Sequence, residues 1–399
     1  MRIIDLFSGC GGLSLGFQKG GNEIIGAYDF WDPAIECYRD NFSHPITKLD
    51  LSNVDYVVKE LAGFEFDMII GGPPCQDFSH AGLRVEGDRA NLTLSFSEII
   101  KRIKPKWFVM ENVDRALKSS TYSVVRQIFK ESGYGLTEVV LDASKCGVPQ
   151  KRKRLFVIGC LGADDDFIMD DINKNLSKTS MTVRDYFGDE LGVNYYYRHP
   201  RNYNRRGVFS IDEPAPTIRG VNRPIPDGYT GHSGDPVSVS NNVRPLTTLE
   251  RARIQTFPKN FKFKGSKTNM EQMIGNAVPV ELAKYVAITI NNHIKNNSIK
   301  MVYYKDNFRV WLNSNKKLTR KSLNDVISRF NRATSFFGDD FIDFDNYQID
   351  EILMKLERNV SFNKLSVSLK SQLRRSFRLY HEFVNDSDTQ RNEISLEVA

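Results

Sequence analysis

A cysteine that follows two prolines is the residue best suited to chemistry in this sequence. Its motif is Gly72-Pro73-Pro74-Cys75-Gln76, which comes after an apolar segment that predicts a strand. Because proline restricts its own backbone and that of its neighbour, the turn would fix the thiol relative to the strand. A structural cysteine more often lies within an apolar run. We therefore predict that Cys75 is a nucleophile; no histidine occupies an obvious partnering position, which disfavours a cysteine protease.

A carboxyl group and two arginines lie next to two further predicted strands. Glu111 directly follows the apolar run Trp107–Met110. A carboxyl beside apolar walls tends to keep its proton and can donate it, or it can simply cap the next helix. In Gln150–Arg154, Arg152 and Arg154 alternate ahead of an apolar strand and are expected to share one face. Two fixed guanidiniums suit a base carbonyl or a phosphate, although a surface charge run is the alternative.

A glycine-rich turn, Phe7–Gly12, follows the first predicted strand. Its glycines would let a ligand approach the backbone at a helix N-terminus. The GxGxxG spacing of dinucleotide sites is absent, so the turn predicts either a nucleotide-like cofactor or a plain tight turn, and it disfavours a nicotinamide dehydrogenase. Asp29 and Asp50 lie at the ends of the next two predicted strands. Carboxylates at such positions can bind ribose hydroxyls or can simply be solvated.

The strands before these residues are expected to bring them together. Five apolar runs, several of them continuous, alternate with helical segments: Arg2–Leu6, Glu23–Tyr28, Phe66–Ile70, Trp107–Met110 and Leu155–Gly159. Continuous apolar runs fit strands buried on both faces, and alternation with helices predicts an α/β fold with a parallel, doubly wound sheet. Ligands bind at the carboxyl ends of the strands in that fold. The glycine-rich turn, the proline–cysteine turn and Glu111 should therefore share one edge of the sheet.

Composition excludes several classes of protein. The 399 residues, 40% of them apolar and 26% charged, allow two or three domains and fit neither a disordered chain nor a membrane protein. No apolar run approaches the ~18–20 residues of a membrane span, and Asp5 interrupts any signal-peptide pattern. Five cysteines without a CxxC pair and six scattered histidines predict reduced intracellular thiols and no metal site. The net charge of +6 is compatible with a polyanionic partner.

Changes in composition along the sequence predict that the chain has three parts. Residues 1–160, completed by 265–295, contain the strand–helix alternation and the residues named above. Residues 161–264 pass from an acidic stretch into a basic, aromatic one, Tyr195–Arg206, and then into a region rich in Gly, Pro, Asn and Ser. This composition predicts a small, loop-rich domain. Residues 300–399 regain helical periodicity and are expected to form a separate module.

Taken together, the motifs resemble those of the DNA (cytosine-5)-methyltransferases over about the first 285 residues. Six segments match in the order usual for that family: Asp5–Gly12, Gly72–Gln76, Glu111–Val113, Gln150–Arg154, Arg244–Pro258 and Gln272–Pro279. The resemblance implies a Rossmann-like methyltransferase domain in which Cys75 adds to C6 of a flipped-out cytosine. Glu111 would bond N3 and the exocyclic amine, Arg154 would hold the O2 carbonyl, and Arg152 would support the loop and contact cytosine. A base, expected to be water, would then remove the C5 proton.

The same resemblance implies S-adenosylmethionine as the methyl donor, S-adenosylhomocysteine as its product, and no metal. Twelve residues are expected to surround the cofactor: Phe7, Ser8, Gly9, Cys10, Gly12, Asp29, Phe30, Asp50, Leu51, Pro73, Asn276 and Val278. Asp29 would bind the ribose, Phe30 would pack on the adenine, and Asp50 would accept from the adenine amine. The family usually has glutamate where Asp29 stands, and the shorter side chain still accepts two hydrogen bonds.

Double-stranded DNA is the partner that the resemblance implies, with sequence recognition in residues 161–264. Candidate DNA contacts are Ser79, Arg84, Tyr197, Arg198, Arg201, Arg205, Thr217 and Arg219. A catalytic core that begins at residue 1 fits the modification enzyme of a prokaryotic restriction–modification system, cytoplasmic and nucleoid-associated, with a cognate endonuclease as genetic partner. Two alternatives stay open: a tRNA cytosine-5 methyltransferase and a non-catalytic DNA-binding regulator.

The module of residues 300–399 lies outside the resemblance. Apolar residues recur at helical spacing from Leu323 to Phe330, behind a candidate cap at Thr319, and again in Ile349–Leu356 and Leu369–Tyr380. Three amphipathic helices can form a small bundle. Its role is open between a structural or dimerising bundle and additional DNA contact through three arginines: Arg374, Arg375 and Arg378.

Overall fold

The computed structural model of the protein describes residues 1–74, 92–202, 204–239, 242–316, 318–337 and 349–396. The predicted nucleophile Cys75 and two predicted DNA contacts, Ser79 and Arg84, lie outside the described residues. The chain divides into two compact units, Met1–Asn291 and Asn292–Ala399. Residues 161–264 belong to the first of these units.

The described residues form short and long strands, α-helices and three brief 3-10 turns. The strands are β1 (Arg2–Leu6), β2 (Glu23–Asp29), β3 (Ile46–Lys48), β4 (Met68–Gly71), β5 (Trp107–Val113), β6 (Tyr134–Asp142), β7 (Gln150–Lys151), β8 (Lys153–Leu161), β9 (Tyr195–Tyr197), β10 (Val208–Ser210), β11 (Ala215–Pro216) and β12 (Arg244–Pro245). The helices of the first unit are α1 (Gly12–Lys19), α2 (Asp32–Arg39), α3 (Val54–Leu61), α4 (Leu92–Ile103), α5 (Ser120–Glu131), α6 (Met169–Asn175), α7 (Val183–Phe187), α8 (Thr248–Ile254), α9 (Lys267–Asn276) and the start of α10 (Val280–Lys316). The second unit contains the end of α10 with α11 (Arg320–Thr334), α12 (Ile349–Arg358), α13 (Val360–Asn363) and α14 (Val367–Leu396).

A seven-stranded sheet organises the first unit, in the order β3-β2-β1-β4-β5-β8-β6. Neighbouring strands from β3 to β5 are parallel, as predicted. The prediction of a wholly parallel sheet is wrong for β8, which is antiparallel to both β5 and β6. The chain between Asp142 and Lys153 contains a 3-10 turn and the two-residue strand β7. A parallel connection needs a crossover of a dozen or more residues, so this shorter link returns the strand in the opposite direction.

The core confirms the interpretation of continuous apolar runs as doubly buried strands. In β1, β4, β5 and β8 nearly every residue is buried. One cluster packs α3, α4 and α5 against the sheet, with Val57, Phe96 and Phe129 at its centre. A second cluster joins Cys37 of α2 and Val280 of α10 with apolar residues of the small domain. The first cluster thus covers one face of the sheet with helices, and the second holds the small domain to α2 and α10.

The helices α1 and α10 approach closely through glycines. A Cβ on Gly16 would lie 2.3 Å from Ala283 Cβ, and one on Gly20 would lie 2.6 Å from Ala287 Cβ. Any larger residue at either position would therefore force the helices apart. The stretch Lys267–Asn296 is long and apolar enough to cross a membrane, but 67% of its most apolar window is buried inside the unit. These contacts fit a core helix.

Residues 161–264 form short strands, as their composition predicted. β9 pairs antiparallel with β10 and parallel with β12 in a three-stranded sheet. β11 pairs with β7, which precedes β8 of the main sheet. The helix α8 begins with a capping box, in which Thr247 Oγ1 accepts from the Glu250 amide and the Glu250 carboxylate accepts from the Thr247 amide. Through the pairing of β11 with β7, the small domain is attached to the arginine motif that leads into β8.

The second unit is a helical bundle. The three predicted amphipathic helices are confirmed as α11, α12 and α14. Thr319 is the N-cap of α11, and its side chain accepts a hydrogen bond from the Ser322 amide. Fully buried residues such as Phe308, Leu356 and Phe377 form its core. This unit has its own apolar core, which is the property expected of an independent domain.

Candidate active site

Glu111 and Arg154 form a buried ion pair at the carboxyl end of β5. Arg154 Nε lies 3.0 Å from Glu111 Oε1, and the two side chains are 15% and 11% exposed. The antiparallel register of β5 and β8 places Arg154 opposite Val113, two residues beyond Glu111. Burial raises the pKa of Glu111, and the nearby Arg154 and Arg152 oppose part of that increase. The carboxyl group therefore holds a proton more readily than an exposed glutamate, as a hydrogen-bond donor must.

The start of the proline–cysteine motif lies beside this carboxyl group. A Cβ on Gly72 would lie 3.3 Å from Glu111 Oε2. Asn112 Nδ2 donates to the Pro73 carbonyl over 3.3 Å. Two of the matched motifs are thus joined by a direct hydrogen bond, and the chain enters the segment containing Cys75 next to Glu111.

Arg152 does not belong to β8, the strand that contains Arg154. β7 ends at Lys151 and β8 begins at Lys153, so Arg152 lies in a break between strands and the alternation is interrupted. Its side chain is 2% exposed. It donates to three backbone carbonyls, those of Ile218, Gly275 and Ala277, over 3.0 to 3.2 Å. The structure therefore places Arg152 as a positioning residue that joins the arginine motif to the small domain.

Two fully buried glutamines complete this junction, and sequence reasoning assigned a role to neither. Gln150 Nε2 donates to Gln255 Oε1 over 2.6 Å, and Gln150 Oε1 accepts from the Ile218 amide over 2.8 Å. Gln255 Nε2 also donates to the Ile274 carbonyl over 2.6 Å. Both glutamines lie within matched motifs, which was the available signal. They connect β7, α8 and α9, so the three motifs keep fixed relative positions.

Asp29 organises the glycine-rich turn. Its carboxylate accepts from the amides of Gly9 (2.7 Å), Phe30 (2.8 Å) and Trp31 (2.9 Å). Burial raises the pKa of Asp29, while these hydrogen bonds lower it. Gly9 adopts φ +56°, and a Cβ there would meet nothing within 4 Å. The turn is therefore both fixed by Asp29 and open to a ligand above Gly9.

The polar atoms of this turn fit a nucleoside cofactor. Among the described residues, Asp5 Oδ1 and Ser8 Oγ are buried without a hydrogen-bond partner. The other oxygen of Asp5 accepts from Ser14 Oγ over 2.5 Å, and burial raises the pKa of Asp5 to about 8. The ring of Phe30 is 63% exposed, which leaves its face available for stacking. Unpartnered buried groups beside an open glycine and an exposed ring are features that a polar, planar ligand would satisfy.

The remaining predicted cofactor contacts differ in how accessible they are. Leu51 and Val278 are buried, and a Cβ on Gly12 would lie 2.3 Å from the Val278 carbonyl. Asp50 is exposed and accepts from the Ser52 amide, but it lies two residues beyond β3 rather than at its end. Asn276 is exposed at the end of α9. Phe7 directly follows the end of β1, and Pro73 lies close behind the end of β4.

The side chains of Cys10 and Tyr197, both predicted to contact ligands, are buried in the structure. Cys10 is 2% exposed and belongs to the apolar cluster of the small domain. Tyr197 is 1% exposed and packs with Val208 and Val243. Tyr197 stays a predicted DNA contact, since it also lines a pocket together with Arg198 and Arg219. Cys10 stays a predicted cofactor contact, through its backbone.

The other predicted DNA contacts fall into two groups. Arg201 and Arg205 are exposed. Arg198 and Arg219 are half-buried, and each donates to a backbone carbonyl of the other's segment. Thr217 Oγ1 donates to the Lys151 carbonyl over 2.9 Å, so its hydroxyl serves the contact between β11 and β7. The first group can reach a ligand freely, whereas the second is held in place.

A doubly wound sheet with a glycine-rich turn, a buried carboxyl–arginine pair and a proline-flanked turn at one edge defines the class of nucleoside-cofactor methyltransferases. Residues 1–292 match the family model of the C-5 cytosine-specific DNA methylases, and the chain belongs to this family. The enzymatic activity of that family is DNA cytosine-5 methylation. The second unit lies almost entirely outside the match.

The first unit is also similar to individual methyltransferases. The chain is 57% identical over 297 residues to the Type II methyltransferase M.HindV of Haemophilus influenzae, which covers 74% of this chain and 98% of that protein. It is 54% identical over 295 residues to the Type II methyltransferase M.HgiDI of Herpetosiphon aurantiacus, covering 74% and 95%. The crystal structure of the S. pombe Dnmt2 methyltransferase covers 73% of this chain and 98% of its own, with 19% identity and a TM-score of 0.55. This structural likeness supports the α/β methyltransferase fold.

Proposed function

We propose that the protein transfers a methyl group from S-adenosylmethionine to C5 of a flipped-out cytosine within a specific sequence of double-stranded DNA. The observation that carries this proposal is the buried Glu111–Arg154 pair beside the turn that leads to Cys75. The relatives named as Type II methyltransferases support a role as the modification enzyme of a restriction–modification system. Since the substrate is DNA, we expect the enzyme to act in the cytoplasm, at the nucleoid.

Covalent addition of Cys75 would overcome the low reactivity of the substrate. C5 of cytosine is a poor nucleophile because the ring is aromatic and electron-poor. The thiolate of Cys75 would add to C6, and the displaced electron pair makes C5 an enamine carbon. C5 would then take up the methyl group as its bond to the sulfonium sulfur breaks, which would leave S-adenosylhomocysteine as the product. Water removes the C5 proton, the C5–C6 double bond re-forms, and the thiolate of Cys75 is expelled.

Glu111 and Arg154 would stabilise the charge that this addition creates. Glu111 Oε1 is engaged by Arg154, while Oε2 faces the proline turn. In the protonated state that burial favours, Glu111 can donate to N3 of the base and accept from its exocyclic amine. Arg154 can hold the O2 carbonyl at the same time. Because these groups are already fixed before the base arrives, little reorganisation is needed during the reaction.

The glycine-rich turn would hold the cofactor. S-adenosylmethionine, bound there, supplies a methyl group that is activated by its sulfonium charge. Asp29 would bind the ribose, the exposed face of Phe30 would stack on the adenine, and Asp50 would accept from the adenine amine. The remaining proposed contacts are Phe7, Ser8, Gly9, Gly12, Leu51, Pro73, Asn276 and Val278, with Cys10 through its backbone.

The decisive experiment is tritiated methyl transfer from S-adenosylmethionine to unmodified duplex DNA, followed by sequencing that detects 5-methylcytosine. The wild type should methylate one short motif, and Cys75→Ala should be inactive while it still binds S-adenosylhomocysteine. Transfer to tRNA but not to DNA would assign the protein to the RNA branch of the family. Activity that survives in Cys75→Ala would contradict the covalent mechanism, and duplex binding without any transfer would favour a regulator.

A further inference from the structure

A cationic pocket lies in the small domain, outside the residues assigned to catalysis. We call it the arginine pocket. Its cavity volume is about 20 Å³, and it is partly open to solvent. Its lining includes Tyr196, Tyr197, Arg198, Ile218, Arg219 and Arg251. The lining thus contains three arginines and no carboxylate.

Two of these arginines have no acidic counterpart. Arg251 is paired with the buried Glu271. Within the described part of the chain, neither Arg198 nor Arg219 has a carboxylate oxygen within 4 Å. Arg198 Nη2 donates to the Thr217 carbonyl over 2.9 Å, and Arg219 Nη2 donates to the His199 carbonyl. Each guanidinium is therefore held in place by one carbonyl, and neither charge is neutralised.

The electrostatics of the pocket favour an anion. Burial and the nearby Arg219 lower the pKa of Arg198 to about 10. Burial also lowers the pKa of Arg219, with further contributions from its neighbours Arg201, Arg223 and Arg205. Both shifts mean that the charged forms are disfavoured when the pocket is empty. An anion between the two guanidiniums would offset this repulsion and accept charge-assisted hydrogen bonds.

The pocket wall is fixed relative to the catalytic ion pair. Ile218, which lines the pocket, accepts from Arg152 at its carbonyl and donates to Gln150 from its amide. Both partners lie in the short segment that leads into β8 and Arg154. An anion held in the pocket would therefore sit at a defined position relative to Glu111 and Arg154.

We propose that the arginine pocket binds one backbone phosphate of the DNA substrate, so that Arg198 and Arg219 position the duplex without reading its bases. This inference rests on the proposed function and goes beyond it. A side chain that reads base edges must protrude into a major groove roughly 8.5 Å deep. The guanidinium groups of the pocket are half-buried and held by backbone carbonyls, so they do not protrude. A phosphate projects from the duplex and can enter the pocket. The exposed Arg201 and Arg205 are better placed to reach bases.

The test measures DNA binding by the full-length protein as a function of salt, using a duplex that contains the methylated motif and a scrambled duplex of equal length. Arg219→Gln should weaken binding to both duplexes by the same factor, roughly tenfold. The slope of log K against log salt should fall by about 0.9, the value for one lost phosphate contact. Arg219→Lys, which keeps the charge, should retain the wild-type slope.

Arg39→Gln is the matched control, since it removes an exposed arginine of α2 that does not line the pocket. It should bind both duplexes like the wild type. A series of duplexes, each with one neutral methylphosphonate, identifies the phosphate. At one position, the methylphosphonate should weaken DNA binding by the wild type and by the control to the same extent. At that position it should not weaken binding by Arg219→Gln any further.

Three results would overturn the proposal. The first is wild-type affinity in Arg219→Gln. The second is a loss confined to the duplex with the motif, which would make Arg219 a base-reading residue. The third is a methylphosphonate series without such a position. Unchanged binding of S-adenosylhomocysteine by Arg219→Gln verifies its fold. A wild type that binds neither duplex would overturn the proposed function together with the pocket.

Discussion

The main sheet and its junction with the small domain are stabilised in opposite ways. In the sheet, Phe108 is fully buried against the rings of Phe96, Phe129 and Tyr134. At the junction, segments distant in sequence are joined by buried polar groups: Gln150 with Gln255, Arg152 with three carbonyls, and Arg251 with Glu271. Apolar burial has no preferred direction, whereas a hydrogen bond requires a particular geometry.

This difference separates stability from alignment. The apolar sheet provides most of the free energy that keeps the first unit folded. The polar junction determines where the cofactor turn, the arginine motif and the small domain lie relative to one another. Core substitutions should therefore reduce stability above all. Junction substitutions should reduce methyl transfer by more than their effect on stability suggests.

Phe108→Ala is expected to have the largest effect on stability. Removing a fully buried ring leaves a cavity and should reduce the free energy of unfolding by about 3–5 kcal/mol. Urea unfolding of the full chain measures this loss. Val140→Ala, in which a 38% exposed side chain of β6 is shortened, should stay within about 0.5 kcal/mol of the wild type. Equal losses in both variants would refute the apolar account of the sheet.

Glu271→Gln tests the buried ion pair of the junction. The Arg251 and Glu271 side chains are 6% and 3% exposed, so the substitution leaves a buried guanidinium without its counter-charge. We expect a loss of about 3 kcal/mol in the free energy of unfolding. The double variant Arg251→Met/Glu271→Leu should regain most of that stability but not the wild-type rate of methylation. A double variant with full activity would show that the pair has no role in alignment.

Asp5 predicts a pH dependence within the otherwise apolar sheet. Its pKa is about 8 in the folded protein, against 3.8 for an ordinary aspartate. The raised pKa contributes stability that is complete below pH 3.8 and is lost as the pH rises through 8. The free energy of unfolding should fall by up to about 1.4 kcal/mol per pH unit in that range. Asp5→Asn should lack this slope.

Ser14→Ala sharpens the same test. The Ser14 hydroxyl donates to Asp5 and lowers the pKa of that carboxyl group. Without this hydroxyl, the range of pH over which the free energy of unfolding falls should extend to higher pH. A wild-type stability profile that is flat between pH 4 and 8, measured by urea unfolding at each pH, would show that Asp5 ionises freely.

Gln255→Leu should have a small effect on stability and a larger one on activity. It leaves the buried Gln150 amide without its acceptor, at a cost of about 1 kcal/mol. The displaced junction should reduce kcat/KM for DNA methylation roughly tenfold. Gln127→Leu, on an exposed position of α5, is the matched control and should change neither quantity. Loss of stability without loss of kcat/KM would contradict the alignment role.

Ending the chain after residue 300 should have the smallest effect on cofactor binding. The start of α10 is held within the first unit by its glycine contacts with α1, and relatives of the chain match it over 295 to 297 residues. Calorimetry with S-adenosylhomocysteine should give the affinity of the full-length protein. Loss of all affinity would show that the second unit is required for the cofactor site.

The burial of five strands could be predicted because short, continuous apolar runs between helical segments are typical of strands buried on both faces. Their order in the sheet was not predicted, and β6 (Tyr134–Asp142) was not among the predicted strands. Trp107–Met110 was predicted and Trp107–Val113 is observed. The direction of β8 could not be predicted, since an apolar run is identical in either direction and the short connection before it was the deciding feature. The cap at Thr319 was predictable because its hydrogen bond is local.

The candidate site was predictable where a residue directly follows a strand. Glu111 was predicted at a strand end in this way. Its ion pair with Arg154, which begins the neighbouring strand, fits the resemblance, which implies that both residues contact the same cytosine. The burial of Arg152 and Tyr197 could not be predicted, since it depends on tertiary contacts that leave no local signal in the sequence. For the same reason, the pairing of Gln150 with Gln255 could not be predicted, as it joins residues 105 positions apart.

The first unit begins and ends at neighbouring points. The Met1 amino group lies 3.4 Å from Asn22 Oδ1, and Asn291 Nδ2 donates to the Gly20 carbonyl over 2.9 Å. These contacts lie at the amino ends of the strands, away from the edge that carries Glu111. Chains whose ends meet tolerate circular permutation and fusion. We therefore expect the catalytic unit to accept a circular permutation of its motifs, or the fusion of a new domain at this point, without a change in its active site.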